Sequence, residues 1–276
     1  MIGMELTCVV IVALYVAVRV RFDQDPKAFL RRLGLLMVAS WLGENSVIHA
    51  YHFYAYSSEW SLFIDQVPLM IVTIWPVVIH SAWDLSGYLL AGRSSSIARR
   101  ACIGGILVIA DASLIEPISV TSGLWWWFQP GLFEVPVVGI LGWSYFAALC
   151  MVVFESNRRK QRGPLADLAV LIVPAIGTHV LLLASWWGLF RWVNVPINPW
   201  PVVAIAWGLS LLLTARGLKV RVQTLIPLRE MLVRVPAASF FFVLLAIYGR
   251  DNLALVAYAL SFAPPYLAAT IPRKTM

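Results

Sequence analysis

Residues 101–120, ACIGGILVIADASLIEPISV, decide the fold class. Apart from Asp111 and Glu116 the run is apolar or small, and at 1.5 Å per helical residue it is long enough to cross the roughly 30 Å hydrocarbon layer of a bilayer. Runs of this kind recur along the chain, at about 3–18, 33–50, 66–90, 135–154, 166–190, 200–215, 235–249 and 253–270. The spacing predicts an all-α integral membrane protein: a polytopic bundle of about nine transmembrane helices, eight being the alternative count, in a single transmembrane domain over 1–276. Composition agrees, with 61% hydrophobic and 13% charged residues against roughly 25% charged in soluble domains. The first run lacks a charged leading segment and a small-residue cleavage site, so it reads as a retained span.

Basic residues orient the bundle. The connections 19–32, 91–100, 155–165, 216–234 and 271–276 hold 5, 3, 4, 5 and 2 Lys and Arg, and the intervening connections hold only Arg191 and Arg250. Short cytoplasmic loops carry such an excess. The alternation predicts an N-terminus outside and a C-terminus in the cytoplasm. It also accounts for the net charge of +7 without a nucleic-acid partner.

The outer connections are aromatic instead: Tyr51 to Tyr56 with Trp60 after the second span, and Trp125 to Phe128 after the fourth. Their density exceeds that of an interfacial belt. The order Glu44, aromatic loop, Val67-Pro68, Trp75 is repeated as Glu116, aromatic loop, Val135-Pro136, Trp143, which suggests a weak internal repeat (33–90 and 101–154) within a catalytic half at 33–154.

Ionisable side chains within spans are costly and normally face a bundle interior or a cavity. Here they are Glu44, His80, Asp84, Asp111, Glu116 and His179. Glu44 lies about 9 Å below the outer boundary, with Glu116 shallower, so the two could share a chamber. Asp111 is about 7 Å deeper than Glu116 and points about 140° away from it, five residues turning through roughly 500°. His80 and Asp84, four residues apart on one face, read as a structural pair or a proton relay. His179 reads as a satisfied core histidine. Cys8, Cys102 and Cys150 lie in apolar runs without a C-x-x-C pair or ligand-spaced His, which suggests no disulfide framework and no metal site.

A carboxylic acid in an apolar chamber has its pKa raised by desolvation and by a second carboxylate, and can serve as a Brønsted acid. Indole and phenol faces can hold a developing carbocation. Together they suit protonation of an isolated alkene. The H-E-x-x-H, G-x-S-x-G and G-K-[ST] patterns of hydrolases and nucleotide enzymes are absent, as are the paired aspartate-rich motifs of UbiA-like prenyltransferases.

Leu42-Gly43-Glu44, the Tyr54 to Tyr56 stretch, Val67-Pro68 with Trp75, Ile115-Glu116-Pro117, Gly123 to Trp127, and Val135-Pro136 to Gly142-Trp143 resemble, in order, the CruF-type carotenoid hydratase family, which looks like the membrane lycopene cyclases. Two positions depart from that pattern: Gly139 stands where the family tends to have Asn, and Ala112, with Asp111 one place off, stands where it has an acid. The resemblance implies water addition to the terminal double bond of a carotenoid, without cofactor or metal, in a bacterial cytoplasmic (inner) membrane. Glu44 and Glu116 would be acid and base, with Asp111 as the alternative partner. His49, Tyr51, Tyr54, Trp75, Trp125, Trp127 and Trp143 would contact an isoprenoid or carotenoid substrate. Other terpenoid enzymes are the implied protein partners. Two alternatives stand beside the hydratase: a cyclase that begins with the same protonation but excludes water, and a non-enzymatic lipid or proton-coupled transporter with Glu44 and Asp111 on a proton path.

Overall fold

The structure, a computed structural model, describes residues 1–90, 95–219, 227, 230 and 232–270. Within the basic connections 91–100, 216–234 and 271–276, residues 91–94, 220–226, 228–229, 231 and 271–276, and with them the C-terminal end of the predicted topology, lie outside the described residues.

The chain is mostly helical. Helices α1 (Ile2–Phe22), α2 (Pro26–Tyr51), α3 (Leu69–Leu89), α4 (Ile97–Thr121) and α5 (Val137–Arg159) form the first part. A composite helix follows, made of a 3-10 stretch (Pro164–Leu171), α6 (Val173–Ser185), a π turn (Trp186–Phe190) and α7 (Arg191–Val193). Then come α8 (Pro199–Lys219), α9 (Val235–Leu244) running into a second π turn, α10 (Leu253–Leu260) and α11 (Ala263–Thr270). Six helical segments among the described residues are long and apolar enough to cross a membrane. α2 falls outside that set, and the predicted spans at 235–249 and 253–270 are shorter apolar helices. The single helix predicted at 166–190 is a composite. Pro164 and Pro174 supply no backbone N–H, which suits the first turn of a helix and breaks an uninterrupted one.

α3 lies at the centre, with α1, α2, α4 and α5 packed on it. α6 packs on α2 and α5, and α9 packs on α1 and α4. Local chemistry fixes these contacts. Pro76 inside α3 leaves the Val72 carbonyl without its intrahelical donor, and the Ser40 hydroxyl of α2 lies 3.4 Å from that oxygen. α4 starts at Ser96, whose side chain accepts the Arg99 N–H.

The two aromatic connections pair with each other. β1 (Tyr54–Tyr56) and β4 (Trp125–Trp127) form an antiparallel ladder that sets Tyr54 opposite Trp127 and Tyr56 opposite Trp125. Gly123, at φ 71°, makes the left-handed turn that carries the chain from α4 into β4. A shorter pair, β2 (Phe63–Ile64) with β3 (Val67–Pro68), leads into α3.

At the opposite end several basic residues are bound to carboxylates. Glu155, 1% exposed, pairs with Arg100, Arg158 and Arg159 at 3.2, 2.7 and 2.7 Å. Arg19 pairs with Asp84 at 3.0 Å and with Glu230 at 2.5 Å, and Arg31 pairs with Asp167 at 3.0 Å.

The predicted orientation has a direct test. A reporter fused at Gln129, two residues beyond β4 on the ladder end, is expected to be active only on the non-cytoplasmic side. A cytoplasmic signal from that fusion would invert the topology.

Candidate active site: two caged carboxyl groups

A strand alternates its side chains between faces, so Tyr54 and Tyr56 share one face of the ladder with Trp125 and Trp127, while Trp126 turns away and is 43% exposed. The shared face lies over Glu44 and Glu116. Glu44 Oε2 accepts the hydroxyls of Tyr54 and Tyr56, the latter at 3.0 Å, and its Oε1 accepts the Trp75 indole N–H at 2.9 Å. Glu116 Oε2 accepts the indole N–H groups of Trp125 and Trp127 at 2.7 and 2.9 Å, and its Oε1 accepts that of Trp143 at 2.7 Å. The two cages are built in matching order: a helix Glu, two donors from the following strand, and one Trp from the next helix.

The cages also touch. Trp75 and Trp143 lie 4.4 Å apart between ring centroids, and Tyr54 and Trp127 lie 4.7 Å apart. Both carboxyl groups border one cavity that encloses about 90 Å³ and is walled almost entirely by apolar and aromatic side chains. α6 contributes Thr178 and Leu182 to it, and α9 contributes Phe240 and Phe241. A buried carboxyl without partners would be costly, and three donors on each relieve that cost.

The remaining sequence candidates lie elsewhere. Asp111 is not on the cavity wall; both its oxygens lie against Arg234 Nη2, whose guanidinium also donates to Ser81 at 2.8 Å. His49 is off the wall too, 2.6 Å from Asp65 in the loop before β3. Hydrogen bonds from Asn45 and His49 hold the Asp65 carboxyl below its ordinary pKa. Tyr51 is likewise outside the cavity, with its hydroxyl 2.7 Å from His179 Nδ1, while Ser46 lies 2.9 Å from the other ring nitrogen. His80 Nδ1 sits 3.1 Å from Asp84 and 3.0 Å from the Tyr15 hydroxyl, away from the cavity. Among the described residues no group of three or more His, Cys, Asp or Glu side chains gathers to hold a metal ion. Sequence reasoning gave no individual role to Tyr56 or Thr178. The Glu44 bond defines Tyr56, whereas Thr178 in an apolar helix carried no signal.

Gly139, at the start of α5, seats an indole. A Cβ there would stand 2.6 and 2.7 Å from Trp127 Cζ2 and Cη2. Gly139→Ala is therefore expected to displace Trp127 from Glu116 and to destabilise the protein by about 1–3 kcal/mol, the usual cost of overpacking. Thermal unfolding in detergent and tryptophan emission check this; a wild-type unfolding midpoint with unchanged emission would show that α5 yields instead.

A family model described as carotenoid biosynthesis protein matches residues 3–213, well over half of the chain and beyond the stretch that carries the sequence resemblance. No curated protein and no solved structure matches.

Proposed function

The chain belongs to the carotenoid biosynthesis protein family, and from that premise we propose that it is a membrane-embedded enzyme that adds water across the terminal double bond of a linear carotene. The observation that carries this reading is the number of sites left on each carboxyl group. A carboxylate has about four in-plane acceptor positions. At Glu116 two on Oε2 and one on Oε1 are occupied by indoles, leaving one position, on Oε1, for a proton. At Glu44 the same one position remains, again on Oε1.

The donors support an assignment of roles. Indole N–H groups donate only, so a proton on Glu116 cannot pass to its cage and is available to the substrate. Tyrosine hydroxyls donate and accept, so a proton arriving at Glu44 can move on through Tyr54 or Tyr56. Glu116 delivers its proton to the less substituted alkene carbon; a C–H bond forms, the π bond breaks, and a tertiary cation develops among the indole faces. Water adds through its oxygen to the cationic carbon and gives up a proton to Glu44. The net change is one water added, and proton transfer from Glu44 back to Glu116 resets the pair.

Expression in a lycopene-accumulating host, with pigments resolved by mass, tests the proposal. Hydration increases the substrate mass by that of one water. A product of unchanged mass and altered absorption would make the protein a cyclase, and unaltered pigment would remove the enzymatic reading.

A further inference from the structure

Among the hydroxyl, indole and carboxyl groups on the cavity wall, one oxygen has no hydrogen-bond partner. Tyrosine hydroxyls and indole N–H groups serve the two glutamates. The Ser40 hydroxyl lies against the Met37 and Val72 carbonyls, and the Trp60 indole donates to the Leu124 carbonyl. Thr178 of α6 borders the same cavity, is 5% exposed, and its buried hydroxyl oxygen has no hydrogen-bond partner. Such an oxygen is costly to bury, and helical threonine commonly relieves the cost by bonding a carbonyl of the preceding turn. Thr178 does not. Its two accessible χ1 rotamers let the hydroxyl turn toward a guest in the cavity.

Its level in the bundle is fixed. The neighbouring His179 bridges the Ser46 and Tyr51 hydroxyls of α2, at 2.9 and 2.7 Å, and this clamps α6 beside the turn of α2 that carries Glu44. An unpartnered hydroxyl in a cavity that also holds a carboxyl group, and whose walls are mainly apolar, is where a single water is retained.

We propose that Thr178 is a water-positioning residue: its hydroxyl holds the water that captures the carbocation. This rests on the hydration reading. Thr178 Oγ1 accepts one water hydrogen, the other points to Glu44, and the oxygen lone pair faces the cation. When the C–O bond forms, the O–H bond toward Glu44 breaks and its proton goes to that carboxylate. Without the hydroxyl the cation survives until it loses a proton or is captured by an internal alkene.

Two measurements test the assignment. In the lycopene-accumulating host, Thr178→Val is expected to consume carotene but to lower the hydrated fraction of product at least tenfold in favour of products of unchanged mass, and Thr178→Ser is expected to restore hydration. A valine variant with the wild-type hydrated fraction overturns the proposal, as does one that folds but consumes nothing. The second measurement, quenching of tryptophan emission in detergent, needs no turnover. Wild type is expected to bind a linear carotene bearing a tertiary terminal hydroxyl several-fold more tightly than the parent hydrocarbon, and Thr178→Val to lose that preference while binding the hydrocarbon unchanged. An equal preference in both proteins refutes the Thr178 assignment even if hydration stands. A wild type that makes no hydrate refutes the hydration reading by itself, and the binding preference then decides whether Thr178 receives a hydroxyl.

Discussion

Glu44→Gln and Glu116→Gln are each expected to lower carotene conversion by about 10²- to 10⁴-fold, the usual worth of a general acid or base. Their effects on stability should differ, because the cages differ. At Glu44 an amide can face its oxygen to Trp75 and donate to Tyr54 and Tyr56, whose hydroxyls turn to accept. The cage survives, and Glu44→Gln should unfold at the wild-type temperature. At Glu116 all three partners are indoles, which cannot accept. Whichever way the glutamine is turned, its NH₂ meets at least one N–H. One buried donor loses its acceptor, at about 1–3 kcal/mol. Glu116→Gln should therefore be both inactive and less stable, as conversion per folded molecule and thermal unfolding in detergent would report. Either variant converting more than about a tenth as fast as wild type would remove that glutamate from the chemistry.

Much of this arrangement is local in the sequence. Apolar runs mark the helices because burial in a bilayer needs little more than length and composition, and Glu44 and Glu116 stand out because carboxyl groups are rare in such runs. The arithmetic of the helix separates Asp111 from Glu116: about 140° between them sends one toward the cavity and the other toward Arg234. What the sequence does not display is pairing between distant segments. Tyr54 and Trp127 meet through a three-residue ladder too short to leave a periodic signal. Arg19 and Arg100 look like topology markers until their carboxylate partners, up to 211 residues away, are in place. His49 and Tyr51, neighbours of the aromatic stretch, look like cavity residues, yet at the end of α2 they point to Asp65 and His179.

Asp111→Asn is expected to destabilise the protein by about 3–5 kcal/mol while leaving conversion per folded molecule near wild type. The Asp111 and Arg234 side chains are 16% and 15% exposed, and the carboxylate balances a guanidinium that also holds Ser81. Removing one member of a buried pair leaves the other charge uncompensated, which is the larger part of the cost. Arg234→Met alone should be comparably damaging. The double change Asp111→Leu with Arg234→Met should recover much of the loss, since an apolar pair of similar size is often as stable as the ion pair it replaces. The coupling between the two sites, read from thermal unfolding of wild type, Asp111→Leu, Arg234→Met and the double variant, measures the interaction itself. A different pattern would reassign the chemistry: Asp111→Asn as stable as wild type but inactive, beside an active Glu116→Gln, would make Asp111 the partner of Glu44, and the cage of three indoles around Glu116 would be a structural anchor for β4.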